Sequence, residues 1–251
     1  MLDQIAKLLN DASRVLFITG AGMSADSGLP TYRGIGGLYE GVTTEDGLPI
    51  EQALSGPVFR ARPTLTWKYI AQLEAAHRNA QPNRGHRVIA ALEKKLDAVW
   101  VLTQNVDGLH HRAGSRNTID IHGDIHQLSC TQCAYAQRVE DYSALVIPPR
   151  CPQCNGLIRP DVILFGELLP EAKLELLARA SARGFDMVFS IGTSSLFPYI
   201  EAPILRAQTL GVPTVEINPG KTHLSSKVDY KLSMGAAEAL DAIAERLGLA
   251  T

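Results

Sequence analysis

The chain of 251 residues lacks the features that mark membrane, secreted and nucleic-acid-binding proteins. No apolar run approaches the roughly 18 residues that a membrane-spanning helix needs. The net charge is only −2, from 24 basic and 26 acidic residues, so no global attraction to DNA or to an anionic membrane is expected. The first residues predict an amphipathic, partly acidic helix, which is neither a secretory signal nor a transit peptide. We expect a globular protein of the cytoplasm.

Cysteine is also scarce, and all four cysteines lie in two Cys-x-x-Cys pairs, Cys130 with Cys133 and Cys151 with Cys154. Two such pairs, separated by residues 134–150, are typical of a structural zinc site in which four thiolates complete a tetrahedron. A redox dithiol or a disulfide pair is the alternative, although a cytosolic chain keeps such thiols reduced. A zinc ribbon that binds nucleic acid is another alternative, but this segment lacks a dense Lys and Arg surface.

A glycine-rich turn follows an apolar run near the amino end. Residues 15–18 predict a strand covered on both faces. Gly20, Gly22 and Ala25 then fill a Gly-x-Gly-x-x-Gly/Ala fingerprint. In that fingerprint the first glycine allows a tight turn, the second lets the backbone approach a pyrophosphate, and the third small residue lets helix and strand pack closely. Taken alone, the glycines are equally typical of an ordinary turn.

The segment after the turn excludes the usual dehydrogenase pattern. A dinucleotide dehydrogenase continues into a second strand that ends in an acidic residue about 20 residues on. Here the chain runs through Leu29 to Gly34 into a segment broken by glycine and proline. The stretch GAGMSADSGLPTYRG resembles the G-A-G-x-S-A-x-S-G-I-P-x-F-R signature of the sirtuins, the NAD-dependent protein-lysine deacylases. Leu29 and Tyr32 depart from that signature.

Further blocks along nearly the whole chain resemble the same family, in the same order. They are TQNVDGLH at residues 103–110, IHG at 121–123, RPDVILFGE at 159–167, GTS at 192–194 and IN at 217–218. Several of these blocks follow predicted strands, and ligands bind at the carboxyl ends of the strands in open α/β sheets. An Asx turn or a helix cap explains each polar residue singly, whereas their shared placement favours one ligand cleft.

The resemblance assigns a role to each candidate residue. His122, at the predicted end of a strand and followed by glycine, is the general base, and its ordinary pKa of about 6.5 suits that role. Gln104 holds a ribose of NAD, and Asn105 and Asp107 line the nicotinamide pocket. The resemblance implies NAD contacts from Gly20, Ala21, Gly22, Ser24, Ala25, Thr31, Tyr32, Arg33, Gln104, Asn105, Asp107, Gly192, Thr193, Ser194 and Asn218.

The substrate side is also implied by the resemblance. Val162, Phe165, Gly166 and Glu167 border a cleft that accepts an acyl-lysine peptide as an added strand. Family members that prefer succinyl-lysine carry Tyr and Arg three residues apart on a small-domain helix, where this chain carries Ile70 and Leu73. Neither side chain binds a carboxylate, so we expect acetyl-lysine and longer apolar acyl-lysines to be preferred over succinyl-lysine.

The predicted fold is α/β, a Rossmann-like doubly wound parallel sheet with a smaller zinc-binding domain formed by insertions. Residues 1–33, 79–126 and 160–251 are assigned to the large domain, and residues 34–78 and 127–159 to the small one. Within the small domain, residues 63–77 predict a helix with Leu65, Tyr69, Leu73 and Ala76 on one face. The last third alternates regularly between helix and strand, which is typical of such a sheet.

The chemistry that the resemblance implies is consumption of NAD, with acyl transfer from lysine to ADP-ribose. A Rossmann oxidoreductase is the alternative that explains the glycine turn, and it would interconvert NAD and NADH. Mono-ADP-ribosyl transfer is a further alternative within the same fold. A nucleic-acid-binding zinc module explains the cysteines alone.

Overall fold

The computed structural model describes residues 1–31 and 43–250, so Tyr32 and Arg33 lie outside the described residues. The helices are α1 (Leu2–Asp11), α2 (Ala21–Ser24), α3 (Ile50–Ala53), α4 (Gly56–Ala61), α5 (Pro63–His77), α6 (Arg84–Leu92), α7 (Leu109–Ala113), α8 (Glu171–Ala182), α9 (Pro198–Thr209) and α10 (Ala236–Leu247). The strands are β1 (Arg14–Thr19), β2 (Ala98–Thr103), β3 (Thr118–Asp120), β4 (Gly123–Cys130), β5 (Ala136–Arg138), β6 (Ile158–Val162), β7 (Met187–Ile191), β8 (Thr214–Ile217) and β9 (Tyr230–Leu232).

Six strands form one parallel sheet in the order β3-β2-β1-β7-β8-β9. From β1 the next strands in the chain, β2 and β3, are added on one side, and from β7 the next strands, β8 and β9, are added on the other side. The topological switch point therefore lies between β1 and β7. Ligands in open α/β sheets bind at the carboxyl ends of the strands at such a point. The predicted doubly wound α/β sheet is confirmed. No helix in residues 1–31 and 43–250 has the length and apolar character that a membrane crossing requires.

Alternate residues of the central strands pack on opposite faces of the sheet. Val15 and Phe17 of β1 belong to a core that α1, α6 and α10 cover, whereas Leu16 and Ile18 belong to a second core under α9. All of these strand residues are fully buried. Burial on both faces is the reason that residues 15–18 of β1 form a continuous apolar run instead of an alternating one.

Three shorter strands form an antiparallel sheet in the order β5-β4-β6. Its apolar side chains share a third core with α3, α4 and α5, in which Trp67 is fully buried and donates its indole N–H to the carbonyl of Ile158 at 2.9 Å. The helical segment and the cysteine-bearing segment therefore pack together, which supports their assignment to one small domain. Strands β4 and β6 cross the predicted boundaries at residues 126 and 160, and the exact division into domains stays a prediction.

Most predicted elements are observed within one or two residues, but three details differ. Ala76 is exposed, because the buried side of α5 carries Thr66, Ile70 and His77 instead. The strand before His122 ends at Asp120, so His122 lies in the short turn that connects β3 to β4. Ala25 is exposed in a 3₁₀ turn that directly follows the very short α2, so the predicted close packing of helix against strand at this residue is wrong.

Candidate active site

Two backbone turns touch at the switch point of the large sheet. The N–H of Gly22 donates to the carbonyl of Gly192 at 2.8 Å, and the N–H of Gly20 donates to that of Ile191 at 3.0 Å. A Cβ atom at Gly22 would lie 2.6 Å from the Cα of Gly192, and one at Gly20 would lie 2.8 Å from the Cβ of Thr193. The glycines therefore allow two turns of the chain to approach each other, whereas the sequence pattern alone assigned Gly22 to an approach of backbone and phosphate.

A chain of hydrogen bonds joins the ends of β2, β7 and β8 at this edge. Gln104 donates through Nε2 to the hydroxyl of Thr193 at 2.7 Å. Asn218 donates through Nδ2 to the carbonyl of Thr193 at 3.2 Å. The structure thus brings together candidate residues that lie more than a hundred positions apart in the sequence. Ser194 follows Thr193 in the same turn and is partly exposed.

A buried polar group lies beside the glycine turn. Ser24 donates to Oδ2 of Asp107 at 2.7 Å, and Asn105 donates through Nδ2 to the Ser24 hydroxyl at 3.1 Å and to the Gly20 carbonyl at 3.0 Å. Each of the three side chains is less than 9% exposed. Burial of this kind is tolerated because these polar groups bond to one another and to the backbone, with Oδ1 of Asp107 accepting from the N–H of Leu109. These residues line a small concavity together with Ala21, Leu29, Pro30, His77 and Val106.

His122 is anchored through both ring nitrogens. Its Nδ1 lies 3.0 Å from the backbone carbonyl of Gln104, and its Nε2 lies 2.7 Å from the hydroxyl of Tyr199. Burial lowers the pKa of His122, the carbonyl of Gln104 opposes that change, and nearby Lys173 adds to it. The imidazole is therefore neutral at physiological pH, which is the state that a general base requires.

Four neighbours of the site were absent from the sequence-based set: Tyr199 and the buried His77, His86 and His110. The rings of His86 and His110 lie 4.8 Å apart, and Nε2 of His110 lies 3.0 Å from the hydroxyl of Thr19. Burial lowers the pKa of His86 to about 4 and also lowers the pKa of His110. The Asn83 cap that predicted the start of α6 was the available signal for His86, because these two residues form a capping box.

The predicted substrate segment, residues 162–167, is held by an ion pair. Arg159 donates two hydrogen bonds to the carboxylate of Glu167, both at 2.8 Å, and a third to the carbonyl of Val162 at 2.7 Å. Phe165 exchanges backbone hydrogen bonds with Leu54 and Gly56, so this segment pairs with the start of α4. Gly166 follows with a positive φ of 79°.

The two predicted acyl-pocket residues lie on the inner side of α5. Ile70 is only 2% exposed, and Leu73 is partly buried against the same core. Tyr69 of this helix and Arg78, which directly follows it, are already committed to other contacts. The hydroxyl of Tyr69 bonds to Asp46, and Arg78 pairs with the buried Glu74 at 2.6 Å.

The four cysteines converge in one cluster. Their sulfur atoms all lie within 4.8 Å of one another, with 3.5 Å between Cys130 and Cys154 and 3.6 Å between Cys133 and Cys151. None of them forms a disulfide. Sulfurs about 3.8 Å apart are what a tetrahedral zinc with bonds of about 2.3 Å requires. Backbone N–H groups of Gln132, Gln153 and Gly156 point to three of the sulfurs, so the donor set fits zinc.

Comparisons with known proteins agree with this arrangement. The chain is 48% identical over 246 residues to the NAD-dependent protein deacylase 2 of Pseudomonas aeruginosa, covering 97% of this chain and 96% of that protein. A Sir2 homologue variant in complex with ADP-ribose superposes with a TM-score of 0.89 at 33% identity, covering 98% of this chain and 96% of that one. A Sir2 variant with a deacetylated p53 peptide and 3′-O-acetyl-ADP-ribose gives a TM-score of 0.87 at 29% identity, covering 99% of both chains.

The family model that matches the chain is described as the Sir2 family, and it spans residues 20–197. That range begins at the first glycine of the turn and includes His122 and all four cysteines. The match extends over well over half of the chain, and it agrees with the near full-length relatives. The chain therefore belongs to the Sir2 family.

Proposed function

We propose that this protein is an NAD-dependent protein-lysine deacylase that removes acetyl or other apolar acyl groups and releases nicotinamide and O-acyl-ADP-ribose. The observation that carries the proposal is a doubly anchored His122 that bonds to the carbonyl of Gln104, the residue whose side chain reaches Thr193 in the turn after β7. The names of the relatives support it, since a curated relative is called an NAD-dependent protein deacylase. A related solved structure holds a deacetylated peptide and an acetylated ADP-ribose.

The proposed NAD site lies along the carboxyl ends of β1, β2, β7 and β8. Gly20, Ala21, Gly22 and Ala25 form the proposed wall of the site at the glycine turn, and Gly192, Thr193, Ser194 and Asn218 are proposed to hold the phosphates and the adenosine ribose. Gln104 holds the ribose next to His122. The nicotinamide pocket consists of Ser24, Asn105 and Asp107, which already form one hydrogen-bonded group. Thr31, with Tyr32 and Arg33 outside the described residues, completes the predicted set.

His122 supplies the general base in this proposal. Once the acyl oxygen has displaced nicotinamide from the ribose, a ribose hydroxyl gives its proton to Nε2 and attacks the acyl carbon. As the acyl group moves to the ribose, its bond to the lysine nitrogen would break and the deacylated lysine would leave as the protonated amine; water would then give O-acyl-ADP-ribose. The Gln104 carbonyl keeps the proton on Nδ1 throughout, because a carbonyl oxygen only accepts hydrogen bonds. A positioned base contributes roughly 10²- to 10⁴-fold to such a step.

The acyl-lysine peptide is proposed to bind along Val162, Phe165, Gly166 and Glu167. The ion pair between Arg159 and Glu167 fixes the shape of this segment. The acyl end of the substrate would meet Ile70 and Leu73. Lys68 pairs with Glu45 and Asp46, the hydroxyl of Tyr69 bonds to Asp46, and Arg78 pairs with Glu74, so these three described side chains are committed to partners other than an acyl carboxylate.

Zinc is proposed to be held by Cys130, Cys133, Cys151 and Cys154. When bound, the ion would complete four thiolate contacts and leave no position for a reacting ligand, so its contribution is structural. Its part in the reaction is indirect, since β4 runs from the cysteine cluster to the residue next to His122. A location in the cytoplasm is part of the same proposal.

The test is incubation of the pure protein with NAD and a panel of acyl-lysine peptides. We expect free nicotinamide, deacylated peptide and O-acyl-ADP-ribose in equal amounts, measured by mass spectrometry. Formation of NADH would identify an oxidoreductase. With NAD that carries a label in its ADP-ribose part, transfer of that label to protein would identify mono-ADP-ribosyl transfer. Salt-dependent binding of DNA without turnover of NAD would favour the nucleic-acid alternative.

A further inference from the structure

Tyr199 makes a contact that the proposed mechanism does not use. Its hydroxyl lies 2.7 Å from Nε2 of His122, the nitrogen that must accept the proton from the ribose. Tyr199 is the second residue of α9, directly after the turn that carries Gly192 and Thr193. The carboxyl-end placement that identified the other site residues therefore applies to Tyr199 as well.

The hydrogen-bond directions follow from the chemistry of the two partners of the ring. The Gln104 carbonyl accepts only, so Nδ1 of the neutral ring must carry the proton. Nε2 then offers a lone pair, and the Tyr199 hydroxyl donates to it. This is the tautomer that a base acting through Nε2 requires. With both nitrogens bonded, a flip of the ring would break two hydrogen bonds instead of one.

The Tyr199 ring is itself held in place. It stacks on Phe197 with centroids 5.5 Å apart and planes 13° apart, and both rings meet the imidazole edge-on at 6.0 Å. The backbone of α9 is anchored by Ile200 and Ile204, which are fully buried. The hydroxyl is thus presented to His122 by a rigid support, which is how precise positioning is achieved in active sites.

We propose that Tyr199 is a positioning residue for His122, an inference that rests on the proposed deacylase function. Its hydroxyl holds the imidazole with the Nε2 lone pair directed to the cleft until a ribose hydroxyl takes its place. After the proton moves from the ribose hydroxyl to Nε2, the imidazolium has an N–H to donate. The Tyr199 oxygen accepts that hydrogen bond, since a hydroxyl both donates and accepts. No proton passes through Tyr199.

The central variant is Tyr199→Phe, which keeps the stacked ring and removes only the hydroxyl. We expect kcat for deacylation to fall about three- to tenfold, the scale of one orienting hydrogen bond. Exchange of labelled nicotinamide into NAD should stay within about twofold, because loss of nicotinamide precedes the step that needs the base. Tyr135→Phe is the matched control, since it removes a hydroxyl bonded to Gln137 in the cysteine-bearing segment. We expect it to leave both reactions unchanged.

Testing Tyr199→Phe in a protein that already carries His122→Ala distinguishes a positioning role of Tyr199 from a general structural role. In a His122→Ala protein, the further change Tyr199→Phe should have no effect, because a residue that acts through His122 has nothing left to position. An equal loss in both backgrounds, or an equal loss of nicotinamide exchange, would overturn the proposal. A loss as large as that of His122→Ala alone would also overturn it, since Tyr199 would then carry the proton. An increase in deacylation would mean that the hydroxyl only obstructs the base.

The tautomer can be measured without turnover. Nitrogen-15 shifts of His122 in the NAD-free protein should report a protonated Nδ1 and an unprotonated, hydrogen-bonded Nε2, and Tyr199→Phe should shift the Nε2 resonance. A protonated Nε2 in the neutral ring would overturn the proposal even in an active enzyme. If the shifts agree but no acyl peptide is turned over, the proposed function fails and the contact between Tyr199 and His122 stands.

Discussion

The six-stranded and three-stranded sheets bury very different amounts of apolar surface. Every residue of β7 and β8 is buried, and helices cover both faces of the large sheet. In the small sheet, β5 has no buried residue, and β4 buries only three of its eight. At about 25 cal/mol per Å² of buried apolar surface, the large sheet has a larger driving force for folding than the small one. The small sheet depends instead on the packing of α5 and on the cysteine cluster.

The cysteine cluster offers the largest test of this difference. Cys130→Ser removes one of four thiolates, and structural zinc sites contribute as much as roughly 10 kcal/mol to the folding of small modules. We expect loss of bound zinc, proteolytic opening of residues 123–162 and loss of most activity, with the parallel sheet still folded. Metal analysis, limited proteolysis and hydrogen exchange measure these effects.

Gln132→Ala is the control for this change, since it alters an exposed side chain between two cysteines. It should leave zinc content and activity unchanged. Well-folded, active protein without any bound metal would contradict the assignment of the cluster. Simultaneous unfolding of both sheets in Cys130→Ser would contradict the independence of the large sheet.

His122 lies where the two sheets meet, between β3 and β4. His122→Ala should reduce deacylation by roughly 10²-fold or more and leave NAD affinity largely intact. Because burial lowers the pKa of His122, its neutral form persists below pH 6.5. We expect the acid limb of kcat/KM to have its midpoint below 6.5, with activity falling as pH drops through that lowered pKa. Unchanged turnover in the variant would refute the assignment.

A substitution at the contact between the turn after β1 and the turn after β7 tests the rigidity of the large sheet. In Gly22→Ala the new methyl group would lie 2.6 Å from the Cα of Gly192, so the two turns must separate. We expect a loss of about 1–3 kcal/mol in the free energy of unfolding and a higher KM for NAD. Thermal melting and steady-state kinetics measure the two quantities.

Gly220→Ala is the matched control for the turn variant, because the nearest atom to its new methyl group, Oδ1 of Asn218, is 3.7 Å away. Equal effects from the two substitutions would show that the approach of the turns is not what constrains Gly22.

The smallest expected effect concerns the acyl pocket beside the small sheet. Burying a carboxylate against Ile70 and Leu73 without a partner costs free energy, whereas apolar acyl chains gain about 0.8 kcal/mol per buried methylene. We expect succinyl-lysine to be at least roughly tenfold poorer than acetyl-lysine in kcat/KM, about 1.4 kcal/mol. Parallel kinetics on acetyl, butyryl and succinyl peptides measure it, and succinyl turnover equal to or faster than acetyl would contradict the pocket assignment.

Much of the fold follows from local sequence because the signals are local. The apolar run at β1 and the regular alternation of the last third predicted the strands β1, β7 and β8, and Pro63 to His77 predicted α5 with its observed bounds. The buried face of α5 was not predictable in the same way. Ala76 matches the helical spacing, yet it is exposed, because the small-domain core contacts the face with Thr66 and Ile70.

The candidate site was only partly predictable. The glycines, the cysteines and the polar residues that follow strands can be recognised from their spacing in the sequence. Tyr199 also follows the end of β7, but an aromatic residue at the start of a helix is ordinarily interpreted as a packing residue. Only the parallel order of β2, β1 and β7 brings Tyr199 to within 2.7 Å of a ring that lies 77 positions earlier in the chain.

The sequence by itself determined the elements, the four-cysteine set and the family resemblance, because these depend on residue type and short spacing. The tertiary structure alone decided that Gly22 faces Gly192, that Ser24, Asn105 and Asp107 form one buried group, and that Tyr199 contacts His122. Such contacts join segments far apart in the chain. They depend on which strands are neighbours in the sheet, and no local pattern of residues specifies that order.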